Sequence, residues 1–478
     1  MPALSGNIEK MKIRVLTRVA QLAFAGELDD VKDDLPLEFV PGGSQPTFSC
    51  CVYREREILR YRIRWACGQV KKPGVVAVMH AACEGCPINR YTVTSNCRSC
   101  TARKCMEACP FGAISVTGRG AYIDPDKCKE CGRCAAACPY NAIADTMRPC
   151  VRACPVDSIT MDQNRHATIN YDRCISCGQC VLACPFGAIS DESYITQIID
   201  AIKSKKEVYA CYAPAIEGQF GMATTAQLTK AVEMLGFDGC VEVSLGADMV
   251  AQNEAQELKH VTESGGHMTT SCCPAFFNMI DKHFHTLMPM VSSTVSPMTA
   301  TARYLKSLHP DALVVFIGPC IAKKSEVRRQ ADGADYVMTF EELYAMFMAR
   351  DIDPVKVQAD PTQEGSIYAK NFAQAGGVSA AVGRVLEEDG FEMPYSCLKC
   401  SGAAECKKAL MMLGAGRLPE TIVEGMACEG GCVNGPGNIA DPRVAQRARQ
   451  KLLAEADKRG VNENLEKIDM TKIHMERY

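Results

Sequence analysis

Two runs of the form Cys-x2-Cys-x2-Cys-x3-Cys-Pro limit this chain more than any other feature. They lie at Cys128, Cys131, Cys134 and Cys138, and again at Cys174, Cys177, Cys180 and Cys184. Such a run wraps three thiolates round one iron-sulfur cubane, while the fourth cysteine, beside proline, ligates the neighbouring cluster. Zinc sites pair two Cys-x2-Cys knuckles instead, so iron and sulfide are the expected metal content. The surrounding chain is short and rich in loops, and cluster binding rather than a large apolar core is expected to fold it.

Four related stretches form a decaying repeat: "CRSCTARKCMEACPFGAI", "CKECGRCAAACPYNAI", "PCVRACPVDSI" and "CISCGQCVLACPFGAI". Each is one half of a ferredoxin fold. Cys97, Cys100, Cys105 and Cys109 have a widened middle gap, and the third stretch keeps only Cys150 and Cys154. Exchanging fourth ligands between neighbours gives one [4Fe-4S] cluster on Cys97, Cys100, Cys105 and Cys138, and a second on Cys128, Cys131, Cys134 and Cys109. A third falls on Cys174, Cys177, Cys180 and Cys154. Cys150 and Cys184 remain, either unligated or holding a fourth cluster with a pair such as Cys83 and Cys86 of "CEGCP".

The chain has 29 cysteines in 478 residues. Its first residues carry Glu9, Lys10, Lys12, Arg14 and Arg18 and form no clean apolar signal region. Thiols in such a chain are expected to be ligands in a reducing cytoplasm rather than disulfides. A net charge of -3 without a basic stripe argues against nucleic acid. No apolar stretch approaches the roughly 18 residues of a membrane span.

The length suggests two or three domains. Cysteine density divides the chain into an N-terminal region at 1–95 whose role the sequence leaves open, ferredoxin-like domains at 96–190, an amphipathic connector at 191–206, a larger domain at 207–440, and a charged helix and polar tail at 441–478 without assigned chemistry. Within 207–440, "VYACYAPA", "GCVEVSLGAD", "HMTTSCCP" and "ALVVFIGPC" read as strands ending at chemistry-bearing loops. "TTAQLTKAVEMLGF", "ADMVAQNEAQELKHVTES" and "SPMTATARYLKSLHP" have helical periodicity. The fold class is therefore α+β ferredoxin-type iron-sulfur domains followed by an α/β domain.

That larger domain carries "TTSCCPAFF", "GPCIAKKSE" and "EGMACEGGCVNGPG". Their cysteines Cys273, Cys320, Cys428 and Cys432 sit on separate loops, enough for one cubane. The three motifs resemble, in residue type and order, the signature motifs of the [FeFe]-hydrogenases, and the resemblance covers about 207–440. It implies a two-lobed catalytic domain that interconverts protons and H2. Cys273, Cys320, Cys428 and Cys432 would hold a [4Fe-4S] cluster, with Cys432 bridging to a two-iron subcluster bearing CO, cyanide and azadithiolate. Lys323 would donate to a cyanide ligand, Cys272 would pass protons to the azadithiolate amine, and Glu254, Glu257 and Ser292 would complete a proton path. Pro214, Ala215, Pro319, Gly377 and Met426 would contact the cofactor. Lys324, by contrast, reads as a surface lysine.

The chain departs from the best-studied branch at Gly318, Phe276, Met298 and Pro436, which surround the ligands without replacing any. The set Cys397, Cys400 and Cys406 has near-cluster spacing with only three thiols. The resemblance implies an iron hydrogenase wired by three accessory clusters, with a fourth left open, to ferredoxin or flavodoxin, and dependent on maturation proteins. A low-turnover H2 sensor and an iron-sulfur carrier or assembly protein without the two-iron subcluster are the alternatives. No Gly-rich nucleotide fingerprint follows a strand; "GAGRLPE" is too weak.

Overall fold

The computed structural model describes residues 6–70, 73–87, 89–204, 206–360 and 363–477. The chain forms two compact units. The first contains 1–77, 171–178 and 190–478; the second contains 78–170 and 179–189.

Short, β-branched, fully apolar runs build the first unit's sheets, as expected for parallel strands covered on both faces. Four strands lie in the order Gly239–Glu242, Val208–Tyr212, Leu313–Ile317, Tyr336–Met338, all parallel. A second parallel sheet orders Met268–Thr269, Ile422–Met426 and Cys397–Ser401. Val208–Tyr212, Leu313–Ile317, Met268–Thr269 and Ile422–Met426 each run out at their carboxyl ends into a loop singled out above. Ligands of open α/β sheets bind at that end.

The structure corrects several expectations. "GCVEVSLGAD" is strand only over Gly239–Glu242, and the helix Val243–Ser264 begins four residues before "ADMV". A short apolar run does not separate a buried strand from a buried helix. Gly246 lets this helix approach its neighbour: an added Cβ would lie 2.2 Å from Thr301 Oγ1 and 2.5 Å from the Pro297 carbonyl oxygen. The supposed connector contains the helix Ile195–Lys203, whose Ile195, Ile198 and Ile199 are wholly buried in the large core. Residues 6–70 add helices to that core, chiefly Asn7–Ala25, packed on Phe340–Ala349, and Val52–Ala66. The tail is not merely polar: Arg449 is fully buried, and Arg477 donates to the carbonyls of Ser271 (3.2 Å) and Thr294 (3.1 Å) beside the first motif.

In the second unit the repeat is visible in the backbone. Two-stranded antiparallel ribbons pair Tyr91–Val93 with Ile143–Asp145, Ile114–Thr117 with Gly120–Ile123, and Ile159–Met161 with Ala167–Ile169. Short helices carry Cys105, Cys134, Cys150 and Cys180. After each Cys-Pro, the third residue from the cysteine is left-handed: Gly112, Asn141, Asp157 and Gly187 have φ of 59°, 48°, 52° and 55°. That turn aims an N–H back at the thiol, so Cys109, Cys138, Cys154 and Cys184 Sγ accept from Ala113, Ala142, Ser158 and Ala188 at 3.4, 3.4, 3.2 and 3.2 Å.

Candidate active site

Cys273 caps the helix Pro274–His283, Cys320 precedes the helix Ala322–Val327, Cys428 follows the strand Ile422–Met426, and Cys432 opens the turn Cys432–Asn434. All four line one apolar cavity with ≈ 850 Å³ of space not filled by protein atoms. Small residues leave that room. Ala275, Ala322 and Ala427, each within two residues of a motif cysteine, pack together beneath Cys273 and Cys320. Gly431, at φ +99°, would place a Cβ 2.6 Å from the Ala373 carbonyl oxygen, and Gly435 one 2.7 Å from that of Pro319.

Burial, then mutual repulsion, raises these thiols. Cys320 is pushed up to about 11 by burial and by Cys273, with Lys323 opposing. Cys428 is raised well above the usual range by burial, then by Cys320, Cys273 and Cys432, and Cys432 is raised similarly. Thiols packed this way become thiolates only with a cation among them. Among the described residues no three His, Cys, Asp or Glu groups converge on a point for one metal ion. In a cubane each thiolate binds a different iron, so spread thiols round a roomy dry cavity fit a cluster and not a single ion.

Lys323 is the cation on the wall, 7% exposed. Its Nζ donates to Ser296 Oγ (2.7 Å), Glu326 Oε2 (2.8 Å) and the Cys272 carbonyl (3.4 Å). Ser296 Oγ donates to Glu326 Oε1 at 2.5 Å, closing a buried triad. Burial would raise Glu326, but Lys323 and the Ser296 hydroxyl hold it below the usual carboxylate range. Lys324 is not a surface lysine. It is wholly buried and donates to Asp191 Oδ2 (2.7 Å), Glu342 Oε2 (3.1 Å) and the Glu192 carbonyl. Consecutive helix positions face different directions, so one lysine reaches the cavity and the next the core.

Cys272 also lines the cavity, and burial followed by Glu254 raises its thiol well above the usual range. Glu254 is fully buried and its carboxyl is pushed up to about 8, by burial and then by Glu257. The Ser292 hydroxyl and Ser271 N–H oppose that shift, yet neither oxygen has a partner at hydrogen-bond geometry among the described residues. An unpaired buried carboxylate would be very costly; the protonated acid is the form this position favours at neutral pH. Ser292 is buried, and its Oγ accepts from Thr294 N at 3.2 Å. Glu257, half-buried, accepts from Ser293 Oγ (2.6 Å) and Thr294 Oγ1 (3.0 Å). The predicted path residues thus share one region, with Ser293 rather than Ser292 on Glu257.

One ferredoxin segment reaches this site within the first unit. The helix Pro274–His283 fixes 171–178, because Asn278 Nδ2 donates to the Ile175 carbonyl (3.1 Å) and Lys282 Nζ to those of Tyr171 (2.7 Å) and Cys174 (2.9 Å). Cys177 lines the cavity. Gly178, at φ +77°, sits so close that a Cβ would meet Pro436 Cγ at 2.6 Å and Ile321 Cδ1 at 2.9 Å. Pro436, a departure from the expected glycine run, is therefore a packing surface for the ferredoxin turn.

Pro214, Ala215, Pro319 and Met426 line the cavity as predicted; Gly377 does not. Gly377 opens the helix Gly377–Glu388, and its Cβ would lie 1.9 Å from the Asn371 carbonyl oxygen, so packing demands glycine there. The departures Gly318 and Phe276 are also explained by packing. A Cβ at Gly318 would meet the Phe316 ring at 2.6 Å, and wholly buried Phe276 lies where a Cβ on Gly425 would be 2.3 Å away. The sequence reading missed Cys177 as a cavity wall and Ser296 and Glu326 as partners of Lys323; the pair Lys323 and Glu326, three apart on one helix, was the available signal. Cys397, Cys400 and Cys406 do not form a three-thiol face: Cys397 and Cys400 point to opposite sides of the strand Cys397–Ser401, and Cys400 pairs with Cys406.

In the second unit the exchange of ligands is visible in which thiols act on one another. Burial raises Cys105, and Cys138 and Cys100 are the thiols that add to it; for Cys134 they are Cys128 and Cys109. Cys154 and Cys180 lie in this unit, Cys174 and Cys177 in the first.

Residues 206–436 match the family described as iron only hydrogenase large subunit, C-terminal domain. Residues 96–142 match a 4Fe-4S dicluster domain and 167–190 a 4Fe-4S binding domain. Iron hydrogenase 1 of Clostridium pasteurianum is 28% identical over 394 residues, 71% of this chain and 68% of that protein. The NADP-reducing hydrogenase subunit HndD of Solidesulfovibrio fructosivorans is 27% identical over 75% of this chain, which spans 66% of that protein's length, just under two thirds. The apo [FeFe]-hydrogenase HydA1 of Chlamydomonas reinhardtii matches with a TM-score of 0.50 and 24% identity, over 59% of this chain and 98% of that one, a likeness of fold. The fold and site define an iron-sulfur oxidoreductase. The chain belongs to the [FeFe]-hydrogenase family, with ferredoxin-type domains ahead of the family domain.

Proposed function

We propose that this protein is a hydrogenase that interconverts protons and H2, with electrons relayed through [4Fe-4S] clusters to and from ferredoxin or flavodoxin. The observation that carries this reading is the dry cavity ringed by Cys273, Cys320, Cys428 and Cys432, with Lys323 on one wall and a Cys272 thiol leading to the buried acid Glu254 on another. Those four cysteines would hold the cubane, and Cys432 would also link it to the two-iron subcluster with CO, cyanide and azadithiolate. When bound, that group supplies an open redox-active iron and a pendant amine base.

The chain's residues do the remainder. Lys323, locked by Ser296 and Glu326, presents its charge to an anionic ligand and cannot swing away. Cys272 keeps its proton at neutral pH and hands it to the amine beside it. Glu254, with its carboxyl raised to about 8, replaces that proton, since a donor near the working pH both holds and releases one. Ser292 and the more exposed Glu257 extend the path outward. Pro214, Ala215, Pro319 and Met426 exclude water, which strengthens each of these charge interactions. Cys174 and Cys177, fixed on the Pro274–His283 helix, would carry the accessory cluster that serves the site.

HndD is by name an NADP-reducing subunit, but this chain has no nucleotide fingerprint, which favours a protein carrier. Maturation proteins and an oxygen-poor cytoplasm belong to the same reading. The test is H2 formation by the matured chain with reduced ferredoxin against NADPH, repeated with Cys177→Ala. Ferredoxin-driven activity is expected, lost in Cys177→Ala while reduced methyl viologen still supports some; NADPH-driven activity without ferredoxin would overturn the electron partner.

A further inference from the structure

The second unit contains four cysteines outside the three exchanged ligand sets, and it brings them together. Cys83 and Cys150 are 4% and 5% exposed and Cys184 is 8% exposed. The Cys150 helix Pro149–Arg152 packs on the helix Gln179–Ala183, as the Cys105 helix Lys104–Glu107 packs on the Cys134 helix Arg133–Ala137. The "CEGCP" turn is held against the Cys184 loop: Met79 N donates to the Ala188 carbonyl at 2.7 Å, and a Cβ on Gly85 would lie 2.7 Å from the Phe186 ring. Ala188 N in turn donates to Cys184 Sγ.

Cys83 Sγ is built as an acceptor. Arg148 Nη1, on a side chain itself only 7% exposed, donates to it at 3.1 Å, and Ala167 N at 3.3 Å. A buried guanidinium with a thiol before it is the environment of a thiolate, not of an inert buried thiol. Burial raises Cys150 to about 11, and the groups that add to the shift are Cys184, Cys83 and Cys86. Cys105 stands in the same relation to Cys138 and Cys100. The correspondence is complete by position in the repeat: Cys150 takes the place of Cys105, Cys184 that of Cys138, and Cys83 and Cys86 that of Cys97 and Cys100.

We propose that Cys83, Cys86, Cys150 and Cys184 hold a fourth accessory [4Fe-4S] cluster, assembled from a distant Cys-x2-Cys and two leftover repeat cysteines. The third repeat stretch lost its own Cys-x2-Cys, and the upstream pair replaces it. Arg148 sets this cluster apart, because a cationic donor on one ligand sulfur favours the reduced, more negative state and raises the potential.

The test uses the full chain, matured without oxygen. Iron and sulfide are counted, and the spin of the reduced sample is integrated by electron paramagnetic resonance, for the parent and for Cys86→Ser with Cys150→Ser. The doubly substituted chain is expected to lose about four irons and one cluster's spin while the infrared bands of the catalytic site persist. A second variant, Arg148→Leu, keeps the ligands and is expected to move one cluster's midpoint to more negative potential. Where the double substitution yields no folded protein, the parent decides: about sixteen irons on accessory clusters against about twelve for three. Unchanged iron and spin in the double variant, about twelve accessory irons in the parent, or zinc in place of iron would overturn the proposal.

Discussion

Glu254→Gln keeps the shape of the buried side chain and removes its proton, so it isolates what that proton does. In the parent the carboxyl is raised from 4.5 to about 8, first by burial. The folded chain therefore keeps a proton that the unfolded chain releases above 4.5. The associated stability is fully present below about 4.5 and is lost as the pH climbs toward 8, at about 1.4 kcal/mol per unit. Between pH 6.0 and 7.5 the parent should lose about 2 kcal/mol by this route. Gln does not titrate, and its unpaired amide adds only a constant offset. The melting temperature of the variant relative to the parent should thus rise by a few degrees from pH 6.0 to 7.5. H2 formation with reduced methyl viologen should fall by roughly 10²-fold or more, with infrared bands at parental intensity. Activity within a few-fold of the parent, or a melting difference that ignores pH, would refute the assignment.

Two lysines that the sequence makes look alike should both be costly to remove, for different reasons. Lys323→Met leaves Glu326 buried and unpaired, a loss of about 3–5 kcal/mol, and adding Glu326→Gln should restore much of the thermal stability while the cyanide bands remain shifted. Lys324→Met strands Asp191 and Glu342 in the core at a similar cost, whereas a surface lysine would change stability by less than about 0.5 kcal/mol; thermal unfolding of the anaerobic protein separates the two.

What the sequence revealed follows from how each feature is encoded. Cluster ligands are fixed by covalent spacing, so the repeat, the exchange of fourth cysteines and the three catalytic motifs could be read directly. The strands Val208–Tyr212 and Leu313–Ile317 were legible because short β-branched runs between loops have few other uses. Side-chain direction was not. Lys323 and Lys324 are neighbours of one type, and only the packed helix shows that one faces the cavity and the other Asp191. Long-range packing was equally hidden: nothing local joins Gly178 to Pro436, Arg477 to Ser271, or Cys83 to Arg148. The helix Ile195–Lys203 looked like a connector because amphipathicity reveals a buried face without saying what covers it.

The central claim is that Cys273, Cys320, Cys428 and Cys432 ring a cavity that takes a cubane joined to an organometallic two-iron group. Infrared spectroscopy of anaerobically matured protein, in the window where iron-bound CO and cyanide absorb, tests it most directly. Sharp bands that change under H2 and disappear in Cys432→Ala are the predicted result. No bands from protein whose iron-sulfur clusters are demonstrably full would contradict it.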